Sequence, residues 1–193
     1  MEIIHLSVGR LMTNCYIVWA EGSGSCAVID PGDEPERILK NITDRNLTLD
    51  AILLTHGHFD HVGGVSDLRK KTGCKVYMNI KELALPAGLT GGPLQYTDAL
   101  QSTVTAGGLT FTVLETPGHS EGSICLLCGD TIFSGDTLFA GTCGRTDLPT
   151  GSWSTILNSL KMLTRLPGDY TVYPGHGPAT TMNAERAGNP CIE

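Results

Sequence analysis

The sequence predicts an α/β protein in which two β-sheets pack together with helices outside them. Two observations predict it. Apolar runs with strand character come in clusters, and amphipathic helical stretches lie between the clusters. Glycine (24 residues) and proline (10 residues) are well above their usual combined share of roughly 12%, which calls for many turns and argues against a helical bundle. The length, 193 residues, is that of one domain, residues 1–193, and a 40% hydrophobic content suits a folded core.

The elements follow in chain order. Ile3–Val8, Asn14–Ala20 and Ser25–Asp30 are apolar runs separated by Gly9-Arg10 and Glu21-Gly22-Ser23-Gly24, so they read as hairpin strands. Asp33–Asn41 reads as a short helix with Pro35 in its first turn. Asp50–Thr55 is a short apolar strand, expected to be buried on both faces. His61–Lys71 reads as one helix ending at Gly73, followed by a strand at Lys75–Met78. The stretch 81–108 gives no clear period and is expected to be a short helix plus a loop. Strands resume at Leu109–Glu115, Ser123–Leu127 and Thr131–Ser134. Ser152–Arg165 has Ser152 as N-cap and apolar residues at Ile156, Leu157, Leu160 and Leu163, the spacing of a helix with one buried face. A final strand is expected at Asp169–Tyr173 and a helical turn at Thr180–Arg186.

Charge and cysteine usage exclude several function classes. Lys plus Arg (13) fall short of Asp plus Glu (20), a net charge of −7, so there is no basic footprint for nucleic acid or an anionic membrane. Met1-Glu2-Ile3-Ile4-His5 has an acid where a signal peptide needs a basic segment, and no apolar run approaches a membrane span. Seven cysteines in a chain of this length point to reduced thiols and a cytoplasmic location. Cys125 and Cys128 lack a second CxxC pair and read as buried structural thiols.

Five of the six histidines lie in turns flanked by Gly or Asp just after apolar strands. The densest group is Thr55-His56-Gly57-His58-Phe59-Asp60-His61. His56 and His58, two apart in extended chain, point to the same side. Asp60 and His61 are adjacent and diverge: they serve a second metal site, or one ligates while the other positions. Four ligand-type side chains in six residues repel one another and are costly to desolvate unless a cation compensates them. Three further turns carry the same residue types: Pro117-Gly118-His119, Ser134-Gly135-Asp136-Thr137 and Pro174-Gly175-His176-Gly177. Asp30, before Pro31-Gly32, is expected to cap amides of its own turn. His5 reads as an ordinary strand residue.

This set resembles the metallo-β-lactamase superfamily, and within it the short bacterial single-domain relatives of glyoxalase II (hydroxyacylglutathione hydrolase). The resemblance runs from Thr13-Asn14-Cys15-Tyr16-Ile17-Val18 through Val28-Ile29-Asp30-Pro31-Gly32, Gly135-Asp136-Thr137-Leu138-Phe139 and Cys143-Gly144-Arg145-Thr146-Asp147 to Gly175-His176-Gly177-Pro178. It implies the αββα sandwich, two mixed sheets flanked by helices, without the C-terminal helical glutathione-binding domain of full-length glyoxalase II. It implies two divalent metal ions, zinc before iron or a mixed pair. His56, His58 and His119 would hold one, Asp60, His61 and His176 the other, with Asp136 shared. Cys143 and Arg145 are candidate substrate contacts; the alternatives are a plain loop cysteine and an Arg145–Asp147 ion pair.

The implied chemistry is hydrolysis of a small anionic thioester such as S-lactoylglutathione. Two divalent ions would supply a hydroxide for attack on the acyl carbon, and Asp60 would orient it. A thiolate, with a pKa near ~8.5, departs without a general acid. Two divalent ions outweigh two carboxylates and a hydroxide by about one positive charge, which favours an anionic substrate locally. The runner-up is a persulfide dioxygenase with one non-haem iron on His56, His119 and Asp136. A lactonase and a non-catalytic metal-binding protein rank below it. A β-lactamase ranks low because Asp60 stands where the best-known branch of those enzymes has a cysteine.

Overall fold

The structure is a computed structural model that describes residues 1–192. Three strands open the chain: β1 (Glu2–Val8), β2 (Thr13–Trp19) and β3 (Ser25–Ile29). Helix α1 (Pro35–Thr43), strand β4 (Thr48–Leu53), helices α2 (Phe59–Val62) and α3 (Val65–Thr72) and strand β5 (Lys75–Met78) follow. A 3-10 segment (Ile80–Ala84) and helix α4 (Ala87–Thr90) lead to β6 (Asp98–Ala99). Next come β7 (Thr103–Ala106), β8 (Leu109–Glu115), β9 (Ile124–Cys128), β10 (Thr131–Gly135) and the small hairpin β11 (Leu138–Phe139) and β12 (Thr142–Cys143). The chain closes with α5 (Trp153–Thr164), β13 (Thr171–Pro174), β14 (Thr180–Thr181) and α6 (Met182–Gly188).

Two six-stranded sheets form, in the orders β1-β2-β3-β4-β5-β6 and β14-β13-β10-β9-β8-β7. Both are mixed. In the first, β1, β2 and β3 pair antiparallel and β3, β4, β5 and β6 run parallel. In the second, β10 and β13 are parallel and the other neighbours antiparallel.

Alternation of side chains across each strand builds three apolar layers. Tyr16, Val18, Ala27, Ile29, Ala51 and Leu53 face Phe111, Leu126 and Phe133 between the sheets. The opposite faces of the same first-sheet strands, with Cys15, Ile17, Val28, Ile52 and Val76, pack under Ile38, Ile42 and Leu68 of α1 and α3. On the outer face of the second sheet, Cys125, Ile132 and Val172 meet Leu160, Leu163 and Met182 of α5 and α6. The architecture is therefore the αββα sandwich that the sequence predicts. Ser152 caps α5 as expected, its Oγ accepting the Thr155 N–H at 3.3 Å.

Three expectations need correction. The single helix at His61–Lys71 is two helices, α2 and α3, broken at Gly63-Gly64. Those glycines pack flat on the Pro31-Gly32 turn, where Gly64 N–H donates to Pro31 O at 2.8 Å. The stretch 81–108 holds two short helices and the strands β6 and β7, not one helix and a loop. Only four residues long, β7 shows its alternation too briefly to stand out. The C-terminal turn is a strand, β14, followed by a two-turn helix, α6.

Candidate metal centre

Strand ends place the site. Strands β8, β10 and β13 run in the same sense, so the loops that carry His119, Asp136 and His176 leave one edge of the second sheet. The loop after β4 brings His56 to His61 to the same seam from the first sheet. Two groups of donor atoms result. His56, His58 and His119 form one, and Asp60, His61 and His176 the other, with the donors of each group within 4.8 Å of one another. All seven residues that the sequence singles out for the centre are brought together.

Asp136 stands between the groups. Its Oδ2 lies 3.6 Å from His119 Nε2 and 3.6 Å from His176 Nε2, and its Oδ1 lies 3.4 Å from His61 Nε2. Asp60 Oδ2 is 3.2 Å from His176 Nε2 and 3.5 Å from His61 Nε2. Asp60 also accepts the Thr13 hydroxyl at 3.1 Å, which fixes its rotamer.

Hydrogen bonds on the outer side of the rings decide which nitrogens are free. His119 Nδ1–H donates to the Arg145 carbonyl at 2.8 Å, so its Nε2 carries the lone pair. His61 Nδ1–H donates to Asp30 Oδ2 at 2.9 Å, which turns its Nε2 towards the centre. Thr55 Oγ gives its proton to Asp30 Oδ2 at 2.5 Å and so accepts from His56 Nδ1 at 3.1 Å, leaving His56 Nε2 as an acceptor. That Nε2, together with His58 Nε2 and Asp136 Oδ1, is buried with no hydrogen-bond partner. His58 Nδ1 and His119 Nε2 face each other at 2.8 Å, and His61 Nε2 and His176 Nε2 at 3.4 Å. Inward lone pairs, orphaned acceptors and two carboxylates are what divalent cations satisfy, so the donor set fits two metal ions.

Titration agrees. Burial, with the neighbouring imidazoles, pushes His56 far below the ordinary histidine range, and burial beside His119 brings His58 down to about 4. Burial lowers His119 as well. All three stay neutral and ligand-ready at pH 7. His61 behaves oppositely. Burial would lower it, but Asp136 and the bond to Asp30 outweigh burial and raise it to about 9. In the metal-free chain this second proton sits on Nε2 and does part of the work that a cation would do there, while Nδ1–H stays on Asp30. Burial would raise Asp60, and the bond to His176 with the charge of His61 takes it well below the carboxylate range instead.

The Asp30 expectation needs correction. Its carboxylate accepts the Thr55 N–H at 2.8 Å, the Thr55 hydroxyl and His61 Nδ1–H, so it aims the metal centre and does not cap its own turn. Arg145 reaches His119 through its backbone carbonyl. Its guanidinium forks onto Asp147 at 2.7 and 2.8 Å, the ion pair that the sequence left open, and lines the cavity over the centre. Cys143 is not on that wall. It is half-buried in β12 against the outer layer of the second sheet, where burial, with the neighbouring Cys191, holds its thiol up at about 12. All seven cysteines are free thiols. His5 does more than fill a strand: its Nε2–H donates to Asn14 Oδ1 at 2.7 Å.

Three supporting residues went unread in the sequence. Asn14 Nδ2 donates to Pro174 O and Gly177 O on either side of His176, and the Tyr16 hydroxyl also donates to Pro174 O. Glu82 is buried at 1% exposure and joins two metal loops. Its Oε2 accepts Gly57 N–H at 2.5 Å, between His56 and His58. Its Oε1 accepts Gly122 N–H and the Ser120 hydroxyl, both at 2.7 Å, next to His119. No local pattern marks an acid in that segment. Backbone space matters at Gly175, where a Cβ would run into Asp136 Oδ1 and the His61 ring.

Comparison with known proteins fits this geometry. The family model described as "Metallo-beta-lactamase superfamily" matches residues 8–176. Hydroxyacylglutathione hydrolase GloC of Haemophilus influenzae is 32% identical, covering 100% of this chain and 98% of the relative. Among solved structures, the BLEG-1 B3 metallo-beta-lactamase superposes with a TM-score of 0.91 at 32% identity, covering 99% of each chain. The protein TTHA1623, solved in a di-iron-bound form, gives 0.84 at 39% identity, covering 97% of this chain and 98% of that one.

Proposed function

The chain belongs to the metallo-beta-lactamase superfamily, and from that premise we propose that it is a metal-dependent hydrolase of thioesters. One observation carries the reading: two complete groups of three donors meet at a single carboxylate, Asp136, with His56 Nε2, His58 Nε2 and Asp136 Oδ1 buried and without a hydrogen-bond partner. A single-iron dioxygenase built on His56, His119 and Asp136 would leave the second group, Asp60, His61 and His176, without a task.

The residues divide the work. His56, His58 and His119 would hold one divalent ion and Asp60, His61 and His176 the other, with Asp136 touching both. Bound there, such ions supply hydroxide at neutral pH and polarise the acyl carbonyl. Asp60, fixed by Thr13, orients the attacking oxygen. Asp30 keeps the His61 proton on the outer nitrogen and so keeps the inner one free.

The leaving group follows from what the wall lacks. Apart from the metal donors, Arg145 is the one titratable side chain on the cavity among the described residues, and it is a cation tied to Asp147. Nothing there can protonate an amine as it departs. A thiolate needs no such proton. This favours thioesters over amides, the GloC-type reaction over a lactam-cleaving one. TTHA1623, solved with two irons, adds iron to zinc among the ions that this donor set suits.

The test is thiol release from S-D-lactoylglutathione by the metal-loaded protein, with a chelator-treated control. Metal-dependent release is expected. Full activity after chelation, or in Asp136→Ala with both ions retained, overturns the reading.

A further inference from the structure

We infer that the site is built for thioesters of apolar acyl groups. The inference rests on the hydrolase reading above and names its substrate class.

The cavity over the metal centre has a volume of about 340 Å³. Beyond the donors, its wall is Leu11, Phe59, Leu89, Phe139, Leu148 and Arg145. Five of these six side chains are apolar. The sixth spends its guanidinium on Asp147 in a two-pronged pair, so it offers no unpaired charge to a substrate carboxylate. A peptide-like thiol carrier with two carboxylates and an amine finds no side-chain partner on this wall. Ligand sites read polar substrates through a few placed polar groups, and here the wall side chains place none outside the centre itself.

The mouth repeats the pattern. Leu11 is 52% exposed and Phe59 is 49% exposed, on opposite chain segments that both border Asp60 in the neighbouring groove. Met12, next to Leu11, is 69% exposed. Large apolar side chains left in water around a concave site mark a surface that an apolar ligand covers.

The acyl half is the part that the wall takes. A thiol carrier leaves as a thiolate and is best solvated outside. An acyl chain gains from leaving water. The carbonyl then sits at the centre with its chain along Leu89, Phe139 and Leu148, and the sulfur points to the mouth. Hydrolysis balances as usual: water adds to the acyl carbon, the carbon–sulfur bond breaks, and carboxylate, thiolate and two protons result.

The experiment compares kcat/KM of the metal-loaded protein for acetyl, butanoyl, hexanoyl and octanoyl thioesters of N-acetylcysteamine, an uncharged carrier, with S-D-lactoylglutathione alongside. Chain burial at about 0.8 kcal/mol per methylene predicts a rise of about fourfold per methylene until the cavity is full. The longer acyl substrates are expected to exceed S-D-lactoylglutathione. Leu89→Ser and Leu148→Ser, each confirmed to hold its metal, are expected to flatten the rise. A flat or falling series, with S-D-lactoylglutathione cleaved faster, overturns this inference and leaves the hydrolase reading standing. Release from no thioester at all overturns both.

Discussion

Seven donor side chains turned towards one another are stable only if something positive lies among them, and the residues around Asp136 show how this chain arranges that. Asp136→Ala removes the carboxylate common to both groups. It is expected to lose tight binding of at least one ion, read as metal per chain after dialysis. Gly175→Ala is expected to act on the same pair from behind, since its Cβ needs the space of Asp136 Oδ1 and His61. The chelated protein should reveal two opposing titrations. His58, at about 4 when folded and near 6.5 when unfolded, takes up its proton more readily in the unfolded chain, so stability falls as pH drops from about 6.5 towards 4. His61, at about 9 when folded, stabilises while protonated, so its contribution is complete below about 6.5 and is lost as pH rises through 9. The melting temperature in chelator is therefore expected to peak near neutral pH and to fall on both sides. A flat profile from pH 5 to 9 would contradict these assignments.

Among the elements, the link between loops matters more than any one strand. Glu82→Ala leaves two buried N–H groups without partners, at about 1–3 kcal/mol each, and leaves the Ser120 hydroxyl only its bond to Ser123. A loss of about 3 kcal/mol or more is expected in chemical denaturation, with metal affinity reduced because His56, His58 and His119 lose their common anchor. Ser152→Ala, on a helix whose cap touches no donor, is expected to cost about 1 kcal/mol and to leave metal binding unchanged. The contrast marks what was legible in the sequence. Long elements with a strong period, such as α5 and β8, could be read because their apolar spacing repeats. The metal donors could be read because His and Asp crowd into Gly turns after strands. Glu82, Asn14 and the true partners of Asp30 could not, because each acts across at least 25 residues on a backbone group or side chain that its own neighbourhood does not announce. The break between α2 and α3 was hidden for the same reason. Gly63-Gly64 answers to a turn thirty residues earlier.

At the level of the whole molecule, the centre is a seam. His56, His58, Asp60 and His61 come from the first sheet, and His119, Asp136 and His176 from the second. Ions that fill the seam favour the assembled sandwich over the unfolded chain and stabilise it by mass action, by up to about 4 kcal/mol at a thousandfold excess over Kd, less what the unfolded chain's own donors recover. Chelation is then expected to lower the melting temperature by roughly 10 °C in scanning calorimetry. No helix among the described residues is long and apolar enough to cross a membrane.

The division of the HGHFDH segment between two groups has a consequence for how the protein acquires its metal. In the native fold, His56 and His58 turn to one group and Asp60 and His61 to the other. In an unfolded chain nothing separates them, and four donors within six residues can close on a single ion. Such a chelate has the wrong register for both sites and must be undone before the sheets can meet. Metal present from the start is thus a competitor of folding, although it stabilises the finished protein. Renaturation from denaturant in a chelator, followed by metal, is expected to regain native fluorescence faster and in higher yield than renaturation with the ion already present.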